Sequence, residues 1–261
     1  MNRCKYFIYI ALFASAVACS IGQEEEEEVG LGAVESEAKW KKPKSVDAAP
    51  PDSPPPPPMN VGTPGFIDAC LLPGMTKATF NPTSSFDPHD EGVTAALNLP
   101  FSFTLYGTAH TKYWITTNGQ LGFGNTLGGS MFGQTTCPLP NSGFTTPILL
   151  AYSSDLVGRY DAHAGVCYAT TGTAPDRKHV VTWKDSFFYE AWLTSNVTFS
   201  ATLNEGTNVI DVVLERIDAP YLTPYEIGLG AALGKQSGSS ANTFSCYQAL
   251  APEGTVIHYN P

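Results

Sequence analysis

The sequence predicts an all-β fold: an antiparallel β-sandwich preceded by a signal peptide and a disordered tether. Gly (24), Pro (21), Tyr (12) and Phe (14) are abundant while charged residues make up only 15%, a composition that favours strands and turns. From Phe66 onward, short apolar runs are broken at close spacing by Gly, Pro, Asn and Asp, and no stretch of ten residues carries a capped helical period. Before Phe66 this pattern is absent, which divides the chain into 1–18, 19–65 and 66–261.

Residues 1–18 read as an export signal. Arg3 and Lys5 precede an apolar stretch from Tyr6 to Ala18 that ends in Ala16-Val17-Ala18, too short to span a bilayer. Cys19 follows directly and resembles the acylated cysteine of a bacterial lipobox, although Ala16 stands where Leu is usual. Lipid on Cys19 would anchor the chain to the envelope membrane, with more than one acyl chain to hold it there. Ordinary cleavage would secrete it instead.

Residues 19–65 combine five acids (Glu24 to Glu28), four lysines (Lys39, Lys41, Lys42, Lys44) and the unbroken run Pro54 to Pro58. So little apolar surface cannot offset the ordering entropy, so the segment reads as a tether that stiffens into polyproline II. The whole chain holds 14 Lys+Arg against 24 Asp+Glu, a net charge of −10. Nucleic acid is excluded as a partner, because its phosphates require a basic face.

In the domain, strands are expected at Phe101 to Leu105, Tyr113 to Thr117 and Gln120 to Phe123, with Asn118-Gly119 as a type I′ hairpin turn. More follow at Ile148 to Tyr152, Val166 to Thr170, Lys178 to Trp183, Val197 to Leu203 and Val209 to Leu214. The last are expected at Ile227 to Leu229, Phe244 to Tyr247 and Val256 to Tyr259. In the Val197 run, Val197, Phe199, Ala201 and Leu203 share one face and Thr198, Ser200 and Thr202 the other. About ten such strands need two layers to hide their apolar faces, which favours a sandwich over a closed barrel.

With Cys4 removed in the signal and Cys19 assigned to lipid, Cys70, Cys137, Cys167 and Cys246 remain. An even number in an exported chain implies two disulfides. The expected pairing is Cys70 with Cys246, joining first and last strands, and Cys137 with Cys167, enclosing a loop. Zinc is excluded by spacing, since no two of these cysteines lie within four residues of each other.

The order of segments is itself informative: LPFSFTLYG (99–107), YWITTNGQLGFG (113–124), GVCYATTGTAPDRKHVVTWKD (165–185), FSATLNEGTNVIDVV (199–213) and EIGLGAALG (226–234), with FSCYQALAPEGTVIHYNP at the end. Together they resemble the nidogen-like extracellular β-domain of bacterial, notably myxobacterial, surface proteins. The resemblance implies a non-enzymatic module used in adhesion or matrix contacts, with no catalytic residues. Ser153-Ser154-Asp155 departs from the aromatic and paired acids expected there.

No hydrolase, P-loop or dinucleotide fingerprint occurs, and no cofactor is expected. Two acidic groups have the oxygen-rich character that Ca²⁺ prefers: Asp87, Asp90 and Glu91 with His89, and Asp155 and Asp161 with His163. His179 is read as an outward strand residue. Phe188, Tyr189 and Trp192, in an aromatic segment between two strands, can form a binding platform or continue the core. The function expected is envelope-anchored binding of a protein or glycan partner. The alternatives are a glycan hydrolase using an acid pair such as Asp155 and Asp161, and a structural component of an envelope assembly.

Overall fold

The computed structural model describes residues 63–82, 87–125, 137–158, 165–189, 195–218, 231–246 and 251–261. The expected export signal, Cys19 and nearly all of the expected tether lie outside the described residues, as does the strand expected at Ile227 to Leu229.

The chain builds short strands β1 (Thr76–Lys77), β2 (Asn81–Pro82) and β3 (Gly92–Val93), then the long hairpin β4 (Leu97–Leu105) and β5 (Thr108–Ile115). There follow β6 (Gln120–Phe123), β7 (Ile148–Ser153), β8 (Leu156–Val157), β9 (Gly165–Thr171) and β10 (Lys178–Phe188). The chain closes with β11 (Asn196–Asn204), β12 (Ile210–Asp218), β13 (Ala232–Ser237), β14 (Ser240–Cys246) and β15 (Val256–Tyr259). A single 3-10 turn, Ala69–Leu71, precedes the strands. Among the described residues the strands pair antiparallel, in a seven-stranded sheet ordered β1-β9-β10-β11-β12-β15, with β8 on β10, and a six-stranded sheet ordered β14-β13-β7-β6-β5-β4.

The two sheets share one apolar core, as a sandwich requires. Phe103, Tyr113, Leu121 and Leu149 from one sheet pack with Val181, Trp183, Phe199 and Leu214 from the other. Trp183 joins them most tightly: its ring stacks on Phe199 at 4.8 Å, and its indole N–H donates to the Thr116 carbonyl at 2.8 Å. The alternation read for β11 holds, with Val197, Phe199, Ala201 and Leu203 in this core.

His179 turns inward, contrary to the sequence reading. It is buried at 3% exposure, and its Nε2 lies 2.7 Å from the Tyr113 hydroxyl and its Nδ1 2.9 Å from Thr170 Oγ1. Burial lowers its pKa to about 4, so it sits neutral between the sheets. Register explains the placement, because His179 shares its face of β10 with Val181 and Trp183.

Turn chemistry also differs from expectation. At Asn118-Gly119 only the glycine has positive φ (75°), and Thr116 N–H bonds to the Gln120 carbonyl, giving a three-residue loop. A Cβ on Gly119 would fall 2.2 Å from the Tyr152 carbonyl oxygen, so this backbone is pressed against β7. The two-residue turn with positive φ at both positions occurs instead at Tyr106 (47°) and Gly107 (77°), between β4 and β5.

Among the described residues the disulfides are two, but paired otherwise than the sequence suggested: Cys70 joins Cys167, and Cys137 joins Cys246. The cause is the path of 63–72, which is not a first strand but a strap across the outer face of the seven-stranded sheet. Thr63 N–H donates to Glu215, Ala69 N–H donates to Thr182 Oγ1, and Lys184 pairs with Asp68 at 2.6 Å. Ala69 and Cys167 pack there with Ala169 and Val180 in a small second core. The strap places Cys70 over β9, far from β14.

Candidate functional site

One end of the sandwich gathers three turns around Asn118. The first is 87–91, where Asp90 and Glu91 N–H groups both donate to the Asp87 carbonyl and His89 N–H donates to the Asp87 carboxylate. Thr117 ties this turn to the β5–β6 turn, since its hydroxyl donates to the Asp90 carbonyl while accepting from Gly92 N–H at 3.0 Å. Gly92 is needed here, as a Cβ would lie 1.8 Å from the Pro88 carbonyl oxygen. The third turn, between β7 and β8, carries Asp155.

Asn118 is buried and bridges two of these turns. Its Nδ2 donates to Glu91 Oε2 at 3.0 Å, and its Oδ1 accepts from Leu156 N–H at 2.7 Å. Carboxylate oxygens of Asp90, Glu91 and Asp155 are thereby brought within 4.8 Å of one another. Of the two acidic groups read from the sequence, the structure thus combines two members of the first with one of the second. Asp161 and His163 lie outside the described residues, and Asp87 pairs with exposed His89 at 3.1 Å.

Electrostatics follow from this crowding. Glu91 is 7% exposed, and burial, then the charges of Asp155 and Asp90, raise its pKa to about 8 against the opposing hydrogen bond from Asn118. Asp90 is also raised, by burial and then by Asp87. Three carboxylates this close cannot all stay ionised without a counter-charge, which a proton on Glu91 or a cation can supply. Among the described residues Asp90, Glu91 and Asp155 are the group able to hold a metal, but three side chains are fewer than the six to eight oxygens Ca²⁺ takes.

The aromatic segment meets the same end. A bulge between Trp183 and Ser186, with Asp185 at φ 53°, redirects β10 so that Phe187 and Phe188 pair with β8. Phe187 and Phe188 are buried, Phe188 against Tyr152, whereas Tyr189 is 55% exposed. Tyr189 N–H donates to the Asp155 carbonyl at 3.0 Å, which ties the backbone of this exposed residue to the turn that carries Asp155. Trp192 lies outside the described residues. A cavity of about 260 Å³ adjoins the turns, lined among others by Phe80, His89, Thr117 and Gly158.

The sequence reading missed Asn118 as the organising residue. Its only local signal was Asn-Gly, which reads as a turn and says nothing of partners 27 and 38 residues away.

A family model described as NIDO related matches residues 74–256. No curated protein and no solved structure matches the chain.

Proposed function

We propose, from the premise that the chain belongs to the nidogen-related family, that it is a non-enzymatic extracellular binding module held at a bacterial envelope by lipid on Cys19. Its contact surface for a glycan or protein partner is the sandwich end that carries Tyr189. The observation that carries this reading is the 55% exposed Tyr189, whose backbone N–H is held by the carbonyl of Asp155, itself one of the three grouped acids. An aromatic face next to oxygen acceptors suits both a sugar ring and a peptide edge. Two disulfides agree with an oxidising, extracytoplasmic location. No helix among the described residues is long and apolar enough to cross a membrane.

The hydrolase alternative rests on Asp155 and Asp161, of which Asp161 lies outside the described residues; among the described acids it would have to draw on Asp90, Glu91 and Asp155. Glu91, however, is buried and spends an oxygen on Asn118, whereas a glycosidase presents both carboxylates to substrate in a cleft. This geometry favours binding over hydrolysis.

Tyr189→Ala should lower affinity for envelope glycan or protein preparations more than tenfold, with an unchanged melting temperature, as for an exposed aromatic anchor. Equal affinity in the folded variant would remove this surface from the function. Cys19→Ser should move the protein from the membrane pellet to the soluble fraction and abolish acyl labelling. Fractionation like the wild type would refute the anchor.

A further inference from the structure

A second cavity, of about 310 Å³, opens on the outer face of the seven-stranded sheet beside the strap. It is lined by Ile67, Lys178, Thr202, Asp211, Val256 and His258, with further apolar contact from Pro64 and Val213. Strand register explains the row at its floor, because Thr202 stands opposite Asp211 and Asp211 opposite His258. Thr202 on β11, Asp211 on β12 and His258 on β15 lie on the face of the sheet turned away from the shared core.

The polar groups of this cavity are unequal in what they have left to offer. Asp211 has both oxygens engaged, Oδ1 with His258 Nδ1 at 2.6 Å and Oδ2 with Asn204 Nδ2 at 2.8 Å. Thr202 is 2% exposed and its hydroxyl has no hydrogen-bond partner among the described residues. Buried hydroxyls are nearly always bonded, so an orphan lining a cavity marks a place for a ligand atom. Lys178 is exposed at the rim and forms no ion pair among the described residues. Over apolar walls the cavity therefore combines the exposed Lys178 ammonium with the buried, unpartnered Thr202 hydroxyl, while both oxygens of its one carboxylate are already engaged.

We infer that this cavity is a binding site for a small carboxylate with a compact apolar body, either a free organic acid or the C-terminus of a peptide ending in an apolar residue. The carboxylate pairs with Lys178, an oxygen accepts from Thr202, and the apolar body lies on Val213, Val256 and Ile67. The volume is at the lower end for ligand pockets, which limits the occupant to about one amino acid in size. The site lies on different elements from the Tyr189 surface and stands independently of it.

The test is titration of the purified protein, followed by amide NMR, with 3-phenylpropionate, N-acetyl-leucine and the amide of each. Saturable shifts of Thr202, Val213 and Val256 with an acid, and at least tenfold weaker binding of its amide, are expected. A response to 3-phenylpropionate identifies a free-acid site, and one to N-acetyl-leucine alone a peptide C-terminus. Lys178→Met should weaken the acid tenfold or more and Thr202→Val about fivefold, as loss of a charged and a neutral hydrogen bond predicts. Tyr189→Ala should change nothing here. No saturable shift with either acid, or acid and amide binding alike, would overturn the site.

Discussion

Glu91→Gln should make the protein more stable than wild type above pH 8 and leave it unchanged near pH 4, in a chelating buffer. In the fold, Glu91 keeps its proton to about pH 8, against an ordinary value of 4.5. Between those values the folded chain binds more protons than the unfolded chain, so wild-type stability falls as pH rises and levels off beyond about 8. The fall is at most about 1.4 kcal/mol per pH unit within that window. Gln keeps an oxygen for Asn118 but has nothing to ionise beside Asp90 and Asp155. A chelator is required because a bound cation would offset the same charge. Identical profiles of melting temperature against pH for both proteins would show that Glu91 ionises freely in the fold.

Removal of Cys70–Cys167 by paired Ser substitution should cost about 2 to 5 kcal/mol, the range for native disulfides that close long loops. The sequence separation is 97 residues, and the strap loses its covalent hold on β9 along with the packing of Ala69 on Ala169 and Val180. Peptide mapping of the unreduced protein should recover Cys70 linked to Cys167 and Cys137 linked to Cys246. A Cys70–Cys246 peptide would restore the pairing the sequence suggested and contradict the path of the strap.

Strands whose apolar residues alternate were legible because the signal is local. Val197 to Leu203 needs only its own neighbours to declare which face is inside. Strand β13 was not legible, since Gly234, Lys235 and Gln236 interrupt any apolar pattern, yet all three are buried. Their burial depends on distant groups. The Gln236 side chain exchanges two 2.7 Å bonds with the Asn141 backbone, 95 residues away, while Lys235 reaches the Asn260 carbonyl and lies over the Tyr106 ring. The acidic site divides in the same way. Composition marked Asp90, Glu91 and Asp155 as oxygen-bearing loop residues, but their grouping rests on Asn118, whose two hydrogen bonds cross between turns. The cysteine pairing failed for a similar reason: nothing in the sequence around Cys70 says that 63–72 crosses a sheet face instead of joining its edge.

The strap also bears on how the molecule would respond to mechanical load. A pull transmitted through the chain that precedes Thr63 first meets one hydrogen bond to Glu215, then the Lys184–Asp68 pair, and then the covalent bond from Cys70 to Cys167. Beyond that bond the force enters β9, which hydrogen-bonds along seven residue pairs to β10, the strand that leads to Tyr189. The residues between Cys70 and Cys167, β4 to β8 included, sit inside a closed covalent ring and cannot be drawn out in line. Under shear between an anchored N-terminus and a partner held at Tyr189, such a ring would leave most of the six-stranded sheet off the line of tension, and within the domain extension would be confined to the few residues from Thr63 to Cys70.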